Sequence, residues 1–169
     1  MGILKGNPKD QPLHYGEIFN LWTYSARKKS AISTYQLYLS HAGDDDLKHL
    51  VDNLLTQARQ SAAECDELLI HNGHLPPPAL PERPPVKLED IPAGARLTDP
   101  EIAIAVGDDI ATGLVACSQV IASAIRLDVG ALFVKYHALH LASAAAALEL
   151  SKEKGWLIPP PLQIQRPEH

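Results

Sequence analysis

Apolar residues return at alternating steps of three and four through four long stretches of the chain, the spacing of one face of an α-helix. The first stretch, about 13–41, carries the stripe His14, Glu17, Leu21, Tyr24, Lys28, Ala31, Tyr35 and Tyr38. The second, about 45–72, carries Leu47, Leu50, Leu54, Ala58, Ser61, Cys65 and Leu68. The third, about 99–126, carries Ala103, Val106, Ile110, Gly113, Cys117, Ile121 and Ala124. On the fourth, about 128–154, the arc chosen as inward is Val134, Ala138, Leu141, Ala145 and Leu148.

The ends of these stretches carry helix signals. Pro12 suits the first turn of the first helix. Asp44, Asp45 and Asp46 put negative charge at the start of the second, where the helix dipole favours it. Asn72-Gly73 and Gly155 are stops. Thr98-Asp99-Pro100-Glu101 supplies a capping box with a proline in the first turn, and Asp128 is the expected cap of the fourth helix.

Proline divides the sequence. Seven of the fourteen prolines fall between Gly73 and Arg96. Each predicted helix is about 40 Å long at 1.5 Å per residue, and four matched helices make a bundle. The connections after the first and third helices are short, which makes antiparallel hairpins. Residues 73–98 could reach roughly 80 Å as polyproline II, enough for a crossover along the bundle. The expected fold is therefore all-α: an up-down-down-up four-helix bundle with a long Pro-rich crossover between helices two and three, and a tail at 155–169. Pro78-Ala79-Leu80-Pro81 also has PxxP spacing, but a stiff crossover accounts for its prolines without a partner.

A length of 169 residues fits one domain with its own core. A net charge of −5 without a long basic run argues against nucleic-acid binding. No membrane span is expected. Residues 1–8 lack the apolar core of a signal peptide, so the expected location is cytoplasmic. Cys65 and Cys117 lie on apolar stripes and read as buried reduced thiols.

Several segments carry a family resemblance: Leu13-His14-Tyr15-Gly16-Glu17, Pro81-Glu82-Arg83-Pro84, Ile91-Pro92-Ala93-Gly94-Ala95-Arg96, Gly113-Leu114-Val115-Ala116-Cys117-Ser118, and Lys154-Gly155-Trp156-Leu157-Ile158-Pro159-Pro160-Pro161-Leu162. With them the whole chain resembles an uncharacterised ferritin-like family of spore-forming bacteria, some members of which bear the label "putative spore coat protein". The resemblance implies a ferritin-like bundle with the long crossover. It implies no activity, and it suggests a structural or interaction role in sporulation or the spore coat, as a homodimer or with coat proteins.

Glu-x-x-His, part of the ligand set of a di-iron bundle, occurs nowhere in the chain. A different constellation follows from the expected topology. Counting from the helix ends puts His14, Glu17, Cys65, Cys117 and His137 in one half of the bundle, with Glu64 and His71 flanking them. Imidazole, carboxylate and thiol are ligands for zinc or iron, so a metal site with redox or hydrolytic activity is one reading. A buried network in which Glu17 accepts from His14 or His137 is the other. His137 and His140 form a further i,i+3 pair, with His140 at the edge of the chosen arc. Lys28, central in its stripe, must be partnered or lose its proton if buried; a structural lysine and a Schiff-base lysine are the two possibilities. No phosphate loop, nucleophile elbow or Ser-His-Asp order appears. The tail from Gly155 to Pro161 is apolar and stiff, and folds back on the bundle or docks on another chain.

Overall fold

Four long helices account for most of the computed structural model, which describes residues 11–161 and 163. They are α1 (Tyr15–His41), α2 (Asp45–His71), α3 (Asp99–Ser123) and α4 (Leu127–Glu153), with two 3₁₀ turns, Leu88–Asp90 and Ala93–Ala95, between α2 and α3. Among the described residues there is no strand. The expectations for residues 1–8 and for the end of the tail, 162 and 164–169, lie outside the described residues.

The helix ends follow the capping chemistry with local corrections. His14 is not the first inward residue of α1 but its N-cap, in extended backbone. Its Nδ1 accepts from Gly16 N–H at 3.0 Å and Glu17 N–H at 3.3 Å, while Glu17 accepts from His14 N–H at 3.1 Å. Asp44 caps α2 by accepting from Leu47 N–H at 3.0 Å. Glu101 accepts from Thr98 N–H at 2.7 Å at the start of α3. α3 stops at Ser123, and residues 124–126 form the turn into α4. Asp128 therefore lies inside the first turn of α4, where it accepts from Val129 N–H at 3.0 Å. Gly73 and Gly155 have φ of 78° and 72°, the left-handed backbone that ends α2 and α4 without a Cβ penalty.

Side-chain ties identify which ends meet. Asp99 accepts from Gly43 N–H at 2.8 Å and Asp44 N–H at 3.1 Å, so α3 begins beside the α1–α2 turn. Lys154, at the far end of α4, reaches Asp44 at 2.8 Å and Asp46 at 2.7 Å. At the opposite end, Arg126 reaches Asn72 Oδ1 at 2.7 Å and the backbone carbonyl of Gln11 at 3.0 Å. Between α2 and α3 the chain runs beside α1. Lys29 donates to the Pro77 carbonyl, Arg83 Nε to Ser33 at 3.0 Å, and Leu97 N–H to His41 at 2.9 Å.

The interior holds two apolar clusters. One, with Leu47, Leu54, Val106 and Ile110 at its centre, lies toward the α1–α2 turn. The other, with Leu21, Cys65, Cys117 and Phe133, lies toward the α3–α4 turn.

On α4 the structure corrects the expected inward arc. Val134, Ala138, Leu141, Ala145 and Leu148 are all exposed, and the buried face is Val129, Phe133, Tyr136, His140, Ser143 and Ala147. α4 is apolar on two faces, and the one carrying its two aromatic rings is the one that faces the bundle. α3 and α4 are long and apolar enough to cross a membrane by length and composition, and only 22% and 28% of their apolar windows are buried. Both helices therefore leave apolar surface outside the bundle.

Candidate functional site

Glu17 is 1% exposed at the start of α1. It is placed there by the capping box with His14 and by the α3–α4 turn. Its Oε1 accepts from the backbone N–H groups of Ile125 and Arg126, both at 2.8 Å. His14 Nε2 stands 3.7 Å from the carboxylate and 3.3 Å from the Ser123 carbonyl. Backbone amides rather than imidazoles thus satisfy this buried carboxylate. Arg126, itself buried, closes this end with a two-point pair to Asp128, at 3.0 and 2.6 Å. Asp128 is held below the usual carboxylate range by that hydrogen bonding.

The other expected ligands do not join Glu17. Cys117 lies on α3 six residues before its end at Ser123, about 9 Å deeper along the helix than the turn that holds Glu17. His137 is half-buried on α4 because the helix is rotated from the expected phase. Glu64 is taken up by Lys135 at 2.6 Å and Tyr136 Oη at 2.7 Å. His71 is exposed and its Nδ1 donates to the Glu67 carbonyl at 2.9 Å. Among the described residues no three His, Cys, Asp or Glu side chains come together as metal ligands. Burial pushes the Cys65 thiol up to about 12 and raises Cys117 as well. Both disfavour the thiolate that a metal requires. The donors as placed do not fit an iron or zinc centre.

A different polar cluster occupies the middle of the bundle. Lys28 and Tyr24 on α1, Cys117 on α3 and His140 on α4 meet there, all buried. Lys28 Nζ is 3.2 Å and Tyr24 Oη 3.3 Å from His140 Nε2. An amine beside this nitrogen donates, so Nε2 is the acceptor and the proton sits on Nδ1. His140 Nδ1 has no hydrogen-bond partner among the described residues. Cys117 Sγ donates to Tyr24 Oη at 3.7 Å. Burial, reinforced by Lys28, lowers His140 to about 4, so it is neutral at pH 7. Burial also lowers Lys28, partly opposed by the charge of Asp109.

The rings beside this cluster are fixed by stacking. Tyr24 and Tyr136 are parallel with centroids 5.3 Å apart, and Phe133 meets Tyr24 edge-on at 4.9 Å. Gly113 on α3 leaves the space for His140: a Cβ there would stand 2.6 Å from Cε1 and 2.7 Å from Nε2.

Chemically the cluster joins a nucleophilic amine, a neutral imidazole and a thiol, but it has little room. The cavities touching Lys28 measure about 30 and 10 Å³, space for at most a water molecule. The larger hollows lie on the outside. One of about 390 Å³ runs between α1 and α3 past Arg27, Thr112 and Asp109. Another of about 450 Å³ runs between α3 and α4, lined by Ile104, Leu114 and Leu148 and bounded by Trp156, Leu157 and Ile158 of the folded-back tail.

The stripe of α1 already placed Tyr24 and Lys28 inside. His140, Tyr136 and Gly113 as a unit were not legible, because the phase of α4 decides which of its polar residues face inward. Arg126 gave no periodic signal, since it lies in a turn.

The sequence model of a family described as "Protein of unknown function (DUF3231)" matches residues 1–168. The uncharacterized protein YvdQ of Bacillus subtilis (strain 168) is 44% identical over 166 residues, covering 98% of each chain. A crystal structure described as a "putative spore coat protein" from Bacillus halodurans C-125 is 45% identical, with a TM-score of 0.91. It aligns over 94% of this chain and 100% of that one.

Proposed function

Because the chain belongs to the DUF3231 family of proteins of unknown function, no activity transfers to it from relatives, and we propose that it is a spore-associated assembly protein rather than an enzyme. The observation that carries this reading is the apolar face turned outward by α3 and α4, with Ile104 at 49% exposure, Val115 at 60% and Leu141 at 53%. A patch of that kind on a folded protein serves contact with another surface. The buried cluster around His140 offers no space for a substrate and acts as a structural network. The spore coat description of the Bacillus halodurans relative points to the compartment.

The scaffold of this reading is a ferritin-like, up-down-down-up bundle. The contacts of residues 77–97 along α1, and the start of α3 beside the α1–α2 turn, support the long crossover. The test is fractionation of a sporulating host with an antibody to the chain. The protein is expected in the alkali- and detergent-extracted coat fraction of purified spores. Recovery only from the soluble fraction of vegetative cells would sink the proposal.

A further inference from the structure

The outward face of α4 has a regularity that solvent exposure does not require. Leu127, Val134, Leu141 and Leu148 recur every seven residues, with exposures of 78, 54, 53 and 47%. Ala131, Ala138 and Ala145 recur every seven residues between them and are exposed too. The combined steps of four and three run the length of the helix without a break. A sustained period of 3.5 is the spacing by which one helix packs along another, and the inward face of the same helix keeps it too. The inward face of the same helix, Val129, Phe133, Tyr136, His140, Ser143 and Ala147, is already used. α4 thus carries one seam for its own core and a second that, among the described residues, lies open along most of its length.

We infer that the second seam pairs with the same seam of a second copy, antiparallel, to form a two-fold dimer. This rests on the reading of the α3–α4 face as an assembly surface and names its occupant. The direction follows from side-chain size. In the antiparallel register centred between Leu139 and His140, Leu148 faces Ala131 of the second copy, Val134 faces Ala145, and Leu141 faces Ala138. Each of these three large residues meets an alanine, and the helices approach to about 8 Å, the close end of helix packing. A parallel pair would set Leu against Leu, Ala against Ala, and Lys152 against Lys152. In the antiparallel register Lys152 falls instead opposite Leu127 and next to Asp128 of the second copy, which already pairs with Arg126 of its own chain, at both ends of the seam. A two-fold axis makes these contacts twice from one sequence. The seam exposes roughly 500 Å² per copy, so pairing buries about 1,000 Å², the threshold of a specific interface, before Ile104 and Val115 on α3 are added.

The full chain is expected to sediment at twice its 18.4 kDa at micromolar concentration. Leu141→Asp is expected to sediment at 18.4 kDa with unchanged helical circular dichroism, whereas Thr56→Asp, on the exposed side of α2, stays paired. Cross-linking reads the direction independently of that variant. Ala145→Cys mixed with Val134→Cys should form a disulfide-linked dimer, and Ala145→Cys alone should not. Cys65 and Cys117 are fully buried and do not compete. A parent that sediments as a single chain overturns the inference, as does Ala145→Cys linking to itself. A single-chain parent that floats with phosphatidylglycerol vesicles also overturns it and assigns the face to lipid. Spore fractionation is a separate readout: a monomer found in spores sinks the dimer alone, and a dimer absent from spores sinks the spore reading alone.

Discussion

At the scale of single residues, the buried polar groups divide by whether their partners are complete. Glu17 accepts from three backbone N–H groups, those of His14, Ile125 and Arg126. Glu17→Leu strands the Ile125 and Arg126 amides at the α3–α4 turn. It is expected to lower stability by about 2–4 kcal/mol in urea denaturation, and added zinc or iron is expected to leave the melting temperature of parent and variant unmoved. Lys28 is the opposite case. No carboxylate lies within ion-pair distance of its amine among the described residues, and Tyr24 can still donate to His140 without it. Lys28→Met keeps the length of the side chain and removes the desolvation cost. It is expected to raise stability by about 1–3 kcal/mol, read as a higher urea midpoint with unchanged slope.

At the scale of elements, the contact between α3 and α4 depends on Gly113. The His140 ring lies against the glycine, with Lys28 and Tyr24 engaging Nε2, so the ring cannot retreat from an added methyl without breaking those bonds. Gly113→Ala is expected to cost about 1–3 kcal/mol despite the better helix propensity of alanine. In the double variant with His140→Ala the clash disappears. The double variant should therefore lose less than the sum of the two single changes, a coupling that a double-mutant cycle measures. A strictly additive result would mean that ring and methyl do not meet.

At the scale of the molecule, His140 ties global stability to pH. Its folded value is about 4 against an ordinary 6.5. Between those values the unfolded chain binds a proton that the folded chain does not, so stability falls as pH drops from about 6.5 to 4. One group shifted this far contributes about 3 kcal/mol across the window. Chemical denaturation at pH 7, 5.5 and 4 should show the decline. It should be shallower in His140→Gln, which has no proton to take up. An equal slope in both proteins would place the acid sensitivity in other groups. Lys28, Asp109 and His137 are the charges that bear on His140, and only Asp109 favours its protonation.

The sequence by itself determined what depends on neighbours along the chain. Helix existence follows from periodicity, and the α2 and α3 starts from Asp44 and Glu101. The stops follow from Gly73 and Gly155, where positive φ spares only glycine. The inward stripe of α1 was legible for Glu17, Leu21, Tyr24 and Lys28 because that helix has a single coherent inward stripe. α4 has two faces that could bury, Phe133-Tyr136-His140-Ser143 and Val134-Leu141-Leu148, about 120° apart around the helix axis. Hydropathy alone favours the second, which has the more aliphatic residues. Only tertiary contact chose the first: the Tyr24 and Tyr136 rings stack, and Gly113 opens a slot for His140. The same choice dispersed the expected ligand set and turned the leucine–alanine seam outward. Burial of one face of a helix exposes the opposite one, and which is buried depends on shapes supplied by other helices.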